Sequence, residues 1–352
     1  MKIIRDLLSS CPIEATAPCR IDMGGTLDIT TFHYPLQHLS PCTFNIAIGL
    51  RTKAILEPYK KRSLVRVDSE GFDSAEYSTE DVPFNHKLGL IFAIAAYFRV
   101  EGVKITIESK SPPQSALGGS SSAAVAVIAA FLKAKEMFAK TKILSKREIA
   151  LLTHTIEESV AGQICGFQDM LAACFGGVNV WQWRADRGKT GFKRNILIKK
   201  KDHSELERHL LLAYCGKPHV SKDFNGKWVK QFIAGKNRYV WKEIIVQTHQ
   251  FVEALKEGRY AQAATHMNKE TNLRRKITPG VLDGVGEQLV RSAMKNNCGA
   301  RFTGAGGGGC IWAIGEVSDI DRLKPFWEDT VSVRKEACLL DVKIDFEGVR
   351  TH

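Results

Sequence analysis

Short β-branched or alternating segments, each bounded by Gly, Pro or a charged cluster, predict strands over residues 45–56, 104–108, 178–183 and 210–214. Apolar residues recurring at helical spacing predict helices over 88–98, 121–138, 146–160, 241–257, 260–267 and 285–296. Strands dominate early and helices late, and 301–314 and 341–346 read as strands again. The polar, basic stretch 184–205 separates the two regions, so a first domain over 1–205 and a second over 206–352 are expected. That division suits 352 residues, because single cores stop growing beyond roughly 250–300. The pattern is α+β, without repeats or low-complexity tracts.

The apolar stretches 88–98 and 123–132 fall short of the roughly 20 residues that cross a bilayer, so no membrane partner is expected. The N-terminus lacks an apolar segment followed by a small-residue cleavage site, which points to a cytoplasmic location. Nine cysteines without a CxxC pair suit reduced thiols better than a disulfide framework. The net charge of +12 would attract nucleic acid, anionic lipid or a phosphorylated small molecule. Its lysines and arginines are scattered, with only short clusters at 199–201 and 274–276, and this argues against nucleic acid as a partner.

Chemistry concentrates in three segments. PPQSALGGSSSAAVAVIAAFLKAKEMF, from Pro112, runs a Gly/Ser-rich turn into an apolar helix. Free N–H groups and the positive dipole end then face outward near Gly118, Gly119, Ser120, Ser121 and Ser122, which suits an anion; the bland alternative is serine capping. GARFTGAGGGGCIWAIG, from Gly299, formally matches GxGxxG at Gly304, Gly306 and Gly309, but it leads into a strand, which disfavours a dinucleotide site. It marks a tight loop against either a ligand or another chain segment. A Walker-type loop is absent, since the GK[ST] triplet at 188–190 has Trp183 where the first glycine should stand.

The third segment is SKREIALLTHTIEESVAGQICGFQDMLAACFGG, from Ser145. Ser145 and Glu148 form a capping box, and Ile149, Leu152, Ile156 and Val160 draw an apolar stripe. Glu157 lies about 90° from that stripe and Glu158 almost opposite it, so Glu157 is expected at the edge of the buried face. Asp169 follows a Gly-containing turn as an N-terminal helix carboxylate, either a cap or a working group.

Together with APCRIDMGGTLDITTF from Ala17, these segments resemble, in order, the motifs of the GHMP kinase superfamily. The resemblance spans most of the chain. It implies a two-domain fold, with a ribosomal-protein-like N-terminal domain that binds ATP and a ferredoxin-like α/β sandwich at the C-terminus. Arg20 is similar to the sugar kinases of the superfamily, where mevalonate kinases carry lysine. GFQDMLAACFGG with NLRRKITPGV and GARFTGAGGGGC looks most like the branch that phosphorylates the anomeric hydroxyl of a heptose 7-phosphate. Two departures stand out: Leu27 separates Thr26 from Asp28, and Ala116 replaces a glycine of the phosphate loop.

The resemblance further implies ATP on Leu117, Gly118, Gly119, Ser120, Ser121, Ser122, Gly304, Gly306 and Gly307, and Mg²⁺ on Ser120 and Glu157, with the choice among the three serines open. It makes Asp169 and Arg20 catalytic, and it gives Asp28, Thr26 and Gly177 to a sugar or sugar-phosphate substrate. Arg274–Lys276 either meets a substrate phosphate or is a solvated helix face. A monomer or homodimer is expected. The alternatives are another sugar 1-kinase acting on fucose, arabinose or galactose, a mevalonate-type kinase, and a non-catalytic basic module on the same fold.

Overall fold

In a computed structural model, which describes residues 2–139, 144–161, 164–185, 191–217 and 224–352, the alternating segments sort into two sheets. The chain begins α1 (Lys2–Ser10), β1 (Ile13–Met23), α2 (Thr30–His33), β2 (Cys42–Pro58), β3 (Val65–Ser69), β4 (Ala75–Tyr77), α3 (Gly89–Tyr97), β5 (Val103–Ser109). It continues α4 (Gly119–Ala139), α5 (Lys146–Ala161), α6 (Gln168–Phe175), β6 (Val178–Trp183), β7 (Phe192–Ile198), α7 (His203–Arg208), β8 (Leu210–Tyr214) and α8 (Phe224–Ile233). The remainder is α9 (Arg238–Lys256), α10 (Tyr260–Ile277), α11 (Gly284–Lys295), β9 (Gly299–Phe302), β10 (Cys310–Ile314), α12 (Val317–Ser332), β11 (Cys338–Leu340) and β12 (Arg350–Thr351).

The first sheet runs β12-β1-β2-β5-β3-β4, with the β6–β7 hairpin joined to the first half of β2. Pro18 has no N–H to donate, and the β1–β2 register shifts between Pro18 and Cys19, just before Arg20. Helix α4 is apolar all round through 123–131 and is buried accordingly, packed against β1, β2, α5 and α6. The second sheet runs β11-β8-β10-β9, antiparallel throughout, and its β-α-β-β-α-β order makes it ferredoxin-like. Phe44 of β2, Phe251 of α9 and Trp312 of β10 meet in one cluster, so the two sheets share apolar core. The architecture is the α+β one expected.

Several elements differ from the sequence reading. The basic stretch 184–205 contains β7, an edge strand whose Arg194 lies over the rings of Phe175 and Trp181. Its outward charges resemble a linker by composition, whereas on an edge they discourage further pairing. Residues 301–314 form a hairpin rather than one strand, with the glycine loop at its turn. Residues 341–346 make only an isolated bridge, Ile344 to Ile48 of β2, and Asp345 beside it pairs with Arg51. The chain then crosses back to the first sheet as β12. None of the nine cysteines forms a disulfide. Among the described residues no helix is long and apolar enough to cross a membrane.

Candidate active site

Three segments enclose a cleft of about 430 Å³: the end of β1 with the turn after it, residues 111–116 running into the N-terminus of α4, and α5 with the stretch leading into α6. Gln114, Ala116 and Gly118 all have positive φ, at 52°, 60° and 77°. Ala116 thus adopts the left-handed conformation that the expected glycine would take more freely. Gly118 is needed twice over, because an added Cβ would also stand 3.3 Å from Asp169 Oδ2. Gly118, Gly119, Ser120 and Ser121 line the cleft. Leu117 and Ser122 are not in its wall. The Leu117 carbonyl accepts the Arg20 N–H (2.9 Å), and the Ser122 hydroxyl donates to the Pro18 carbonyl (2.7 Å), so both tie the loop to β1.

Arg20 and Asp169 meet fork to fork. Arg20 donates from Nε to Oδ1 and from Nη2 to Oδ2, both at 2.8 Å, while Nη1 donates to the Ala116 carbonyl at 2.7 Å. Burial opposes the guanidinium charge, but Asp169 and Asp22 outweigh it and hold its pKa above the ordinary value. One arginine therefore fixes the carboxylate and the phosphate loop in a single frame.

Glu157 sits at the half-buried edge of α5 and Glu158 is exposed, as the helix angle predicts. The Ser121 hydroxyl donates to Glu157 Oε2 at 3.0 Å; Ser120, the serine picked by motif matching, is exposed at the same rim. Burial and then the Asp169 charge push Glu157 up to about 7. Between pH 4.5 and about 7 the folded chain keeps a proton that the unfolded chain releases, so this group's stabilisation is full below pH 4.5 and declines as pH rises. Glu157→Gln is accordingly expected to melt with the wild type at pH 4 and above it at pH 8; parallel pH profiles would contradict the assignment.

Asp28 is buried. Its Oδ2 accepts the Gln168 N–H at 3.0 Å, and Oδ1 has no protein partner. Burial, reinforced by Asp169, pushes it up to about 6. Gly166 permits this approach, since a Cβ there would fall 2.1 Å from Oδ2. Cys165 lines the same wall, but burial and the nearby carboxylates raise its thiol to about 12, which removes it as a thiolate nucleophile.

The glycine loop divides. Gly304 reaches the cleft, whereas Gly306 and Gly307 pack against Val281 and Phe224, and the Gly307 N–H donates to the Val281 carbonyl at 2.7 Å. Those two serve loop packing. Gly309 abuts the phosphate loop: at φ +84° a Cβ there would meet the Ser115 carbonyl oxygen at 2.5 Å. Gly309→Ala is expected to lower stability by about 2 kcal/mol or more, read from urea unfolding, because strain and backbone overlap add. Gly177 is not brought to the cleft; its N–H donates to the Asp345 carbonyl at 2.6 Å. The 188–190 triplet lies outside the described residues.

Two features escaped the motifs. One is the apolar end of the cleft, walled by Phe72, Leu88, Leu90, Ile91 and Ile107. The other is a buried charge chain: Asp22 accepts the Gly304 N–H (2.8 Å) and Arg301 Nη1 (3.1 Å), Arg301 Nε donates to Glu270 (3.0 Å), and Arg274 Nε donates to the other Glu270 oxygen (2.9 Å). The solvated-face alternative fails for Arg274, which is fully buried, while Arg275 is paired with Glu287 (3.0 Å).

Residues 86–177 match the profile of the GHMP kinases N terminal domain. A mevalonate kinase of Pyrococcus furiosus is 25% identical over 298 residues, spanning 76% of this chain and 81% of that protein. A D-glycero-alpha-D-manno-heptose 7-phosphate kinase of Campylobacter jejuni is 28% identical over 244 residues, spanning 69% and 68%. The crystal structure of a D-glycero-D-manno-heptose 1-phosphate kinase from Bacteriodes thetaiotaomicron superposes with a TM-score of 0.71 at 18% identity, over 97% of this chain and 98% of that one. The chain is thus similar to GHMP kinases over most of its length, and residues 86–177 carry the match to their N-terminal domain.

Proposed function

We propose that this chain transfers the γ-phosphoryl group of MgATP to a sugar hydroxyl, with the anomeric hydroxyl of a heptose 7-phosphate as the acceptor favoured by its motifs. The observation that carries this reading is the Arg20–Asp169 fork beside the N-terminus of α4. Phosphoryl transfer needs chiefly in-line positioning and neutralisation of charge on the moving group, and such a cleft offers both. The apolar end suits the nucleoside, and the N–H groups at residues 118–121 suit its phosphates.

Magnesium fits the donor set. Among the described residues no group of three or more His, Cys, Asp or Glu side chains is placed to hold a metal, but Mg²⁺ in kinases takes one or two protein oxygens and completes its shell with phosphates and water. Glu157, with Ser121 and the rim hydroxyl of Ser120, would hold it, and a cation there would favour the ionised form that burial disfavours. When bound, the ion supplies charge neutralisation at the phosphates. Arg20 holds Asp169 in one orientation, and Asp169 then directs the acceptor hydroxyl and can take its proton. Asp28, in the cleft wall, accepts from a second hydroxyl of the sugar. On this reading residues 1–205 form the nucleotide domain and 206–352 the second domain, with β12 returning to the first sheet.

A second reading, an acceptor without a phosphate, is favoured by the fate of the basic cluster. Arg274 and Arg275 are both committed within the protein, and the carboxylates of Asp28, Glu157 and Asp169 line the cleft. An ADP-release assay with MgATP against heptose 7-phosphate, mannose, fucose, arabinose, galactose and mevalonate separates these. Turnover on the heptose phosphate alone supports the first reading, and turnover on a free sugar supports the second. Turnover on mevalonate alone would overturn the sugar assignment.

A further inference from the structure

The turn that carries Asp28 into the cleft is shaped from the other half of the chain. Arg274 on α10 donates from Nη2 to the Gly25 carbonyl (2.6 Å) and from Nη1 to the Thr26 hydroxyl (3.2 Å), while Glu270 takes its Nε (2.9 Å). Its guanidinium carbon lies 5.0 Å and 4.7 Å from the ring centroids of Trp228 and Trp241, so aromatic walls confine it. Thr26 has φ +78°, a conformation that β-branched residues avoid unless their surroundings impose it. Leu27, the residue that separates Thr26 from Asp28, is fully buried. The turn thus absorbs Leu27 by forcing Thr26 left-handed, and the Thr26 hydroxyl faces the arginine that holds it there.

We propose that Arg274 is a positioning residue for the phosphoryl acceptor: it locks the Gly25–Thr26 turn from α10 so that the Asp28 carboxylate is held at the cleft wall. The proposal rests on the kinase reading above for what Asp28 receives, but the lock itself is a property of the turn. Arg274 spends its hydrogen bonds on Glu270, Thr26 and Gly25 rather than on the phosphate loop, so its direct effect falls on the acceptor side of the cleft. Glu270 and Arg301 continue the chain to Asp22, which ties the same helix to the glycine loop. A lysine at 274 would keep the charge beside Glu270 and lose the fork onto Gly25 and Thr26.

Amide hydrogen exchange on the full chain reads the lock without any substrate. The reporter is the Ile29 N–H, which donates to the Thr26 carbonyl at 3.0 Å. In Arg274→Lys its exchange is expected to quicken about tenfold or more, with amides of α4 and α10 within twofold of wild type. Thr26→Val, which replaces the hydroxyl by a methyl group, is expected to show the same confined change and guards against a poorly folded lysine variant. In turnover, Arg274→Lys is expected to raise the acceptor KM about tenfold to a hundredfold while the ATP KM stays within twofold. Unchanged exchange at Ile29 in both variants, or acceleration spread through α9 and α10, would overturn the proposal, as would acceptor and ATP KM rising together. If the wild type phosphorylates no acceptor, the kinase reading falls, while the exchange result still decides whether Arg274 locks the turn.

Discussion

Replacing Asp169 by asparagine is expected to reduce kcat by about 10²–10⁴-fold and leave nucleotide affinity within twofold. Both carboxylate oxygens are occupied by Arg20, at 2.8 Å each, so the side chain is held in one orientation at the cleft wall. Asparagine keeps the shape and one acceptor, but its amide would face the Arg20 Nη2 donor, and it cannot accept a proton from the acceptor hydroxyl. Calorimetric titration with MgATP and an ADP-release assay on the same preparation separate binding from turnover. An asparagine variant with full kcat would remove Asp169 from the chemistry.

Replacing Arg20 by methionine is expected to have the second large effect, on turnover and folding together. The guanidinium holds Asp169, the Ala116 carbonyl of the phosphate loop and, at 3.8 Å, Asp22. Its loss leaves the part-buried Asp169 without its cation, while Asp22 keeps Arg301, and breaking such a pair costs about 3 kcal/mol. Turnover should fall by about 10³-fold or more, the scale on which arginines act in phosphoryl transfer. Urea unfolding and the coupled assay measure the two effects. Arg20→Lys keeps the charge but not the fork, so it is expected to recover stability in part and turnover little. Wild-type stability in Arg20→Met would show that the fork is not what joins the loop to α6.

The parts of the site legible in the sequence are those built from neighbours along the chain. A Gly/Ser turn running into an apolar helix announces an N-terminal anion site, and helical angles alone put Glu157 at the edge of α5 and Glu158 in solvent. Asp169 is legible through the Gly-containing turn before it and through the motif resemblance. What stayed hidden depends on partners far apart. Arg274 sits in an RRK run that reads as a solvated face, yet its partners Gly25 and Thr26 lie 249 and 248 residues away. Glu270, four residues before Arg274, is the one local hint that the helix carries an internal pair. The apolar end of the cleft joins Leu88, Leu90 and Ile91 at the start of α3 to Phe72 and Ile107, which lie apart in sequence and read as ordinary core residues of their own segments. Gly306 and Gly307 were indistinguishable by sequence from Gly304, because only the hairpin decides which glycine faces the cleft. The serine facing Glu157 turns on about 100° of helix rotation per residue, finer than motif matching resolves.

On the proposed reading, this cleft moves phosphate from ATP to a small-molecule acceptor through Asp169. The most direct measurement follows label from γ-labelled MgATP into each acceptor of the panel, with the wild type beside Asp169→Asn. Label is expected to enter at least one sugar with matching ADP release, and Asp169→Asn is expected to lower this transfer about 10²-fold or more. Label released only as inorganic phosphate, or transferred equally by the variant, would contradict it.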